Sequence, residues 1–188
     1  MPFREDAMLN RALATIAAFT LLGTASFAGP FEDGNAAYGK GDFAAALATW
    51  KPLAEQGEVN AAFNLGLLYD RGQGVDQDRA EAVKWYRKAA EGGDVIGAFN
   101  IGTILIKGDG VPANPVEGVK WYRQAGDKGD VFAQFNLGQI YADGKDVPKD
   151  EAEAAIWYER AAKQNHTQAQ FSLGTLYANG RGVEQDLE

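Results

Sequence analysis

The chain has 188 residues, 46% of them hydrophobic, which is enough to bury a continuous core as one domain or one repeat array. Six prolines and a charged fraction of 23% give no compositional sign of disorder. A formal charge of −8 argues against nucleic acid as a partner, and the absence of cysteine excludes disulfides and thiolate chemistry.

Residues 1–28 read as a signal peptide. Arg11 is the positive head, residues 12–23 are an uncharged apolar run, and Ser26-Phe27-Ala28 is a small-x-small cleavage site; Met8 is an alternative start. No charge occurs between Arg11 and Glu32, so an uncleaved anchor is the competing reading, but Gly23, Ser26, Gly29 and Pro30 favour cleavage. A periplasmic or secreted protein, with no membrane span after cleavage, is the expectation.

Residues 29–57 predict a first helix pair with a short connection. Tyr38 to Trp50 spans 12 residues where Tyr69 to Trp85 spans 16, so its loop is four residues shorter than those that follow. It suits an N-terminal cap on an array.

Residues 58–188 are governed by a step of 36 residues. Trp85-Tyr86 returns as Trp121-Tyr122 and Trp157-Tyr158; Phe63, Phe99, Phe135 and Phe171 keep the same step, as do Gly66, Gly102, Gly138 and Gly174, and Val75, Val111, Val147 and Val183. Each unit predicts two helices. The first, residues 61–70 in its first copy, sets Ala62, Leu65, Gly66 and Tyr69 on one stripe. A glycine inside a helix costs about 1 kcal/mol against alanine, so its return in every copy points to a close neighbour.

The loop Gly72-Gln73-Gly74-Val75 ends that helix, with glycine free to turn left-handed and Val75 plugging the gap between helices. The second helix opens on Asp78-x-x-Glu81, Asn114-x-x-Glu117 and Asp150-x-x-Glu153, which have the form of capping boxes. Along it Ala82, Tyr86, Ala89 and Ala90 form the apolar stripe with Trp85 beside them, while Lys84, Arg87 and Lys88 point outward. The aromatic pair reads as core rather than as a ligand cage. Gly92-Gly93 stops the helix and Asp94 caps the next unit; in the third copy Asp146 replaces the second loop glycine. The last unit is incomplete: Asp186 falls where another second helix would be capped. The helix of Phe171 and Tyr177 is thus left to dock on the preceding unit, a second subunit or another protein, unless the chain continues.

The pattern A-x-F-N-L-G-x-x-Y-x-x-G-x-G-V, followed by A-V-K-W-Y-R-K-A-A-E-x-G, resembles the Sel-1-like repeat family, a relative of the tetratricopeptide repeats, over about residues 41–183. The resemblance implies an all-α, α/α superhelical solenoid of antiparallel helix pairs and an adaptor role in signalling or envelope complexes. The first pair, residues 29–57, resembles a tetratricopeptide unit more closely. Cysteine-rich members of the family are associated with β-lactams, but their spaced cysteines are missing here.

Catalytic chemistry finds little material. Beyond residue 28 there is a single serine, Ser172, and a single histidine, His166; each takes a repeat slot, that of Asn64, Asn100 and Asn136 for the serine and that of Asp94 and Asp130 for the histidine. No metal, cofactor or phosphate cradle is expected from one imidazole and loops that lack a following Gly-Lys-Ser/Thr. Acidic residues are numerous enough that a weak envelope hydrolase acting on glycan or a β-lactam is kept as an alternative function.

A protein or peptide partner is the leading expectation, held on a concave wall lined by first helices. Asn64, Asn100 and Asn136 recur at one position on it. In tetratricopeptide relatives an asparagine just before the Leu-Gly pair bonds the main chain of an extended peptide; the competing reading has each amide bonding its own hairpin. Seven residues on lie Arg71, Lys107 and Asp143. The two cations could hold an acidic group, although solvated charge at a helix C-terminus explains them as well. A self-assembling module that associates through its C-terminal end is the third reading.

Overall fold

The computed structural model describes residues 29–183. Residues 1–28, read above as a signal peptide, and the capping position expected at Asp186 lie outside the described residues.

Nine helices and no strand are present among the described residues. They are α1 (Pro30–Gly39), α2 (Phe43–Glu55), α3 (Val59–Arg71), α4 (Arg79–Glu91), α5 (Val95–Lys107), α6 (Pro115–Asp127), α7 (Val131–Asp143), α8 (Glu151–Lys163) and α9 (Thr167–Ala178). Each packs chiefly on its neighbours in sequence, and α9 reaches back to α7. The result is the expected solenoid: short connections force antiparallel pairs, and stacked pairs bury what a single hairpin cannot.

Two connections alternate. Inside a pair, the first helix ends on a left-handed glycine, Gly72, Gly108 or Gly144, with φ of 65°, 68° and 67°. Between pairs the chain turns tightly, and the backbone N–H groups of Asp94, Asp130 and His166 donate to Ala89, Ala125 and Ala161 carbonyls at 2.9, 3.0 and 3.2 Å. Asp146 is not among the residues with positive φ, so the third loop lacks the left-handed turn that Gly74 and Gly110 make.

The recurring glycine has the close neighbour its cost implied. A Cβ on Gly66 or Gly102 would stand 2.5 Å from the ring of Tyr86 or Tyr122, and one on Gly138 would meet Tyr158 in the same way. The ring also packs against the phenylalanine three residues earlier, with centroids 5.7, 5.4 and 5.9 Å apart in the pairs Phe63–Tyr86, Phe99–Tyr122 and Phe135–Tyr158. Trp50, Trp157, Tyr86, Leu65, Leu68, Ile101 and Leu137 form the fully buried centre.

The capping boxes form only in their forward half. Asp78, Asn114 and Asp150 accept from the N–H of Glu81, Glu117 and Glu153 at 2.9, 3.2 and 2.9 Å. Their own N–H groups are already committed to carbonyls of the preceding helix, Tyr69, Leu105 and Tyr141, at 2.9, 2.8 and 2.9 Å. The glutamates are therefore free for other work.

Candidate functional site

The asparagine positions lie on one face of α3, α5 and α7, and Ser172 continues the row on α9. Their surroundings differ. Asn64 is 5% exposed, whereas Asn100 and Asn136 are half-buried. Each later member faces the tyrosine hydroxyl of the preceding repeat. Asn100 approaches Tyr86 without reaching hydrogen-bond geometry. Asn136 lies beside the Tyr122 hydroxyl, which pairs with Thr103 Oγ1 at 2.9 Å, and Ser172 lies beside Tyr158. Burial raises all three phenols, Tyr158 to about 12, so they stay protonated and neutral near pH 7.

The flanking positions are not equivalent either. Arg71 is half-buried and donates to the Tyr38 hydroxyl at 3.4 Å, which ties α3 to the N-terminal pair. Lys107 and Asp143 are placed in the last turns of α5 and α7, and both are exposed. Between them and the asparagines lie Thr103, 9% exposed, and Gln139, half-buried. Half-buried Ile96 and Phe132 stand a turn before Asn100 and Asn136.

A second arrangement, which sequence reading missed, joins consecutive second helices. Arg87, expected to point into solvent, reaches Glu117 of the next repeat at 2.7 Å and lies 5.3 Å from the centre of the Trp121 ring. Trp121 Nε1 donates to the same carboxylate at 3.3 Å. One repeat on, Arg123 meets Glu153 at 2.5 Å, and Trp157 Nε1 donates to Glu153 at 2.8 Å. The Arg87 bond holds the Glu117 carboxyl below its ordinary value. The position before Arg87 in the series is Lys51; there Glu81 turns to Lys84 at 2.7 Å, and Trp85 Nε1 is buried without an acceptor. The 36-residue recurrence of Arg87 with Arg123 and of the glutamates was the signal that could have revealed this stitch.

Neither candidate for nucleophilic chemistry is arranged for it. His166 Nδ1 accepts from Ala169 N–H at 3.2 Å, capping α9, and its ring stacks on Phe135 with centroids 4.5 Å apart. Among the described residues no group of three His, Asp or Glu side chains is placed to hold a metal. No helix among them is long and apolar enough to cross a membrane.

Stacked helix pairs, stitched side by side and presenting a repeated polar row, define a helical-repeat scaffold. The Sel1 repeat model matches residues 59–94, 95–130, 131–166 and 167–188, and the chain belongs to the Sel1 repeat family, whose members generally serve as protein-interaction scaffolds. Among solved structures it is similar to a Sel1 repeat protein from Oxalobacter formigenes, with 34% identity and a TM-score of 0.75 over 83% of this chain and 64% of that one. It is also similar to a protective antigen with an SLR fold from uropathogenic Escherichia coli strains, with 33% identity and a TM-score of 0.74 over 98% of this chain and 38% of that one. The chain thus spans less than two thirds of either structure. Comparison with curated proteins gives no match.

Proposed function

We propose that this protein is an exported scaffold, not an enzyme, that holds an extended segment of a partner protein along the row of Asn100 and Asn136. The supporting observation is that these two amides are half-buried on a shared face, beside the Tyr86 and Tyr122 hydroxyls of the preceding repeats. An asparagine side chain offers a donor and an acceptor together, which is what one peptide unit of a bound strand requires. Of the first helices, α7 and α9 pack on each other across successive repeats. At a helix spacing of about 8–10 Å, two rungs correspond to about three residues of extended chain rising about 3.3 Å each. Ile96 and Phe132 supply apolar contact, and Lys107 and Asp143 at the far end of the face suit a segment carrying both signs of charge.

Export is supported by the Arg11 head, the apolar run and the Ser26-Phe27-Ala28 site. The non-enzymatic reading is supported by the use of His166 as a helix cap and of Ser172 as a neighbour of Tyr158.

The test is partner capture from an envelope extract, followed by binding of peptides from the captured protein to the wild type and to Asn100→Ala with Asn136→Ala. Loss of two hydrogen bonds of about 1 kcal/mol each weakens binding about tenfold or more, with the circular dichroism spectrum unchanged. Unaltered affinity in the double variant overturns the assignment of the row. A mature N-terminus near residue 29 in the periplasmic or extracellular fraction supports export; a chain retained in the cytosol with residues 1–28 intact refutes it.

A further inference from the structure

The two amides of the row stand beside phenols whose protons are placed differently. Next to Asn136, the Thr103 hydroxyl donates to the Phe99 carbonyl at 3.1 Å and meets the Tyr122 hydroxyl at 2.9 Å. With the Thr103 proton committed, and the phenol the more acidic hydroxyl, Tyr122 donates to Thr103. Its oxygen is left only to accept, so the Asn136 amide turns Nδ2 to it and keeps Oδ1 for the open side of the face. Next to Asn100, the slot of Thr103 holds Leu67, which offers no acceptor. The Tyr86 hydroxyl is buried without a partner among the described residues, and Asn100 is the amide beside it. Orphaned buried donors are rarer than under-satisfied acceptors, so of the two amide atoms Tyr86 requires Oδ1, and Nδ2 remains for a partner.

We infer that the row has a polarity: Asn136 offers an acceptor and Asn100 a donor, so a bound extended segment runs N-terminal to C-terminal from α7 to α5. This rests on the row being the binding face. In an extended strand the N–H and C=O of one residue share an edge, and the next residue on that edge is two further along. From an N–H to the C=O two residues later is about 9 Å, two rises of about 3.3 Å plus about 2 Å within the last residue. That matches a helix spacing of about 8–10 Å. In the opposite sense, a C=O precedes the next N–H on its edge by about 5 Å and the one after by about 11 Å, and neither fits. The charges give the segment a matching order: Asp143 shares α7 with Asn136, and Lys107 shares α5 with Asn100. The partner is therefore an extended stretch of protein chain in which a basic residue precedes an acidic one. In the complex Tyr86 makes the hydrogen bond that it lacks in the free chain.

The test uses the full exported chain and a peptide from the captured protein. A nitroxide at the peptide N-terminus should broaden the backbone amide signals of α7 more than those of α5, and one at its C-terminus should do the reverse. N-methylation of the peptide, residue by residue, should find one N–H whose removal weakens binding about fivefold, the loss of one hydrogen bond. In Thr103→Val the Tyr122 proton turns to Asn136 Oδ1, so that same methylation should make no difference. A peptide that runs from α5 to α7 overturns the inference, and so does a methylation effect of undiminished size in Thr103→Val. Either result leaves the row itself standing while Asn100→Ala with Asn136→Ala still weakens binding. Unaltered affinity in that double variant removes the row and its polarity together.

Discussion

Alanine at the recurring glycine separates packing from helix propensity, because the same substitution meets a wall in three units and none of the described residues in the fourth. In Gly102→Ala the new Cβ stands 2.5 Å from the Tyr122 ring, about 1 Å inside an ordinary carbon–carbon contact. Tyr122 is 5% exposed and its hydroxyl is held by Thr103 at 2.9 Å, so the ring cannot retreat without breaking that bond. Overpacking costs about 1–3 kcal/mol and the strained hydrogen bond about 1 kcal/mol, against about 1 kcal/mol gained in helix propensity. The net expectation is destabilisation of about 1–3 kcal/mol. Gly66→Ala is milder, since the Tyr86 hydroxyl makes no hydrogen bond that a ring shift would break. Gly174→Ala meets no atom of the described residues and gains about 0.5–1 kcal/mol in α9. Urea denaturation measures the first two, and amide exchange in α9 measures the third. If Gly102→Ala and Gly174→Ala shift stability in the same direction, the glycine grooves are not close-packed as described.

Two electrostatic expectations concern the C-terminal units. Glu151 accepts from Arg181 and pairs with Lys149, and its carboxyl falls to about 2, the Arg181 hydrogen bond being the largest cause. The folded value lies below the unfolded one, so this contribution is complete above the ordinary carboxylate range and is lost as pH falls towards 2. Carbon-detected NMR titration should show that midpoint in the wild type and an upward shift in Arg181→Ala; an identical midpoint in both refutes the pairing. His166 is lowered from its ordinary 6.5 by burial, so folding favours the neutral ring whose Nδ1 caps α9. The cap is fully present above pH 6.5 and is lost as pH falls through the lowered folded value. Exchange protection in α9 should therefore drop in mild acid for the wild type and hold in His166→Asp, which restores the residue type of Asp94 and Asp130; a pH-independent α9 in the wild type contradicts this.

The parts of the fold written as local spacing are readable in the chain. Gly66, Phe63 and Tyr86 each recur at the repeat step, and a glycine retained in a helix interior at a cost of about 1 kcal/mol has to be explained by contact. What spacing does not carry is the identity of a partner in the next unit. Glu117 looks like the return half of a capping box because Asn114 stands three residues away, but the N–H that such a box would satisfy already donates to Leu105, and the carboxylate instead takes Arg87 from 30 residues upstream. Arg87 looks solvated for the same reason: the carboxylate that takes it, Glu117, belongs to the next repeat.

The asparagine row shows the limit more sharply. Asn64, Asn100 and Asn136 share residue type, register and helix, so nothing local distinguishes them. Yet Asn64 is sealed, on a helix that the N-terminal pair holds through Tyr38 and Arg71, whereas the later two stand half-open. Availability for binding is thus set by place in the stack rather than by the motif. That predicts separate phenotypes for identical substitutions. Asn64→Ala removes a buried amide and should lower stability by about 1–3 kcal/mol in urea denaturation, without a selective effect on partner affinity. Asn136→Ala should weaken a bound peptide while leaving the unfolding midpoint in place. If Asn64→Ala proves neutral in stability yet abolishes binding, then the N-terminal pair opens in solution and the row begins one repeat earlier than this packing implies.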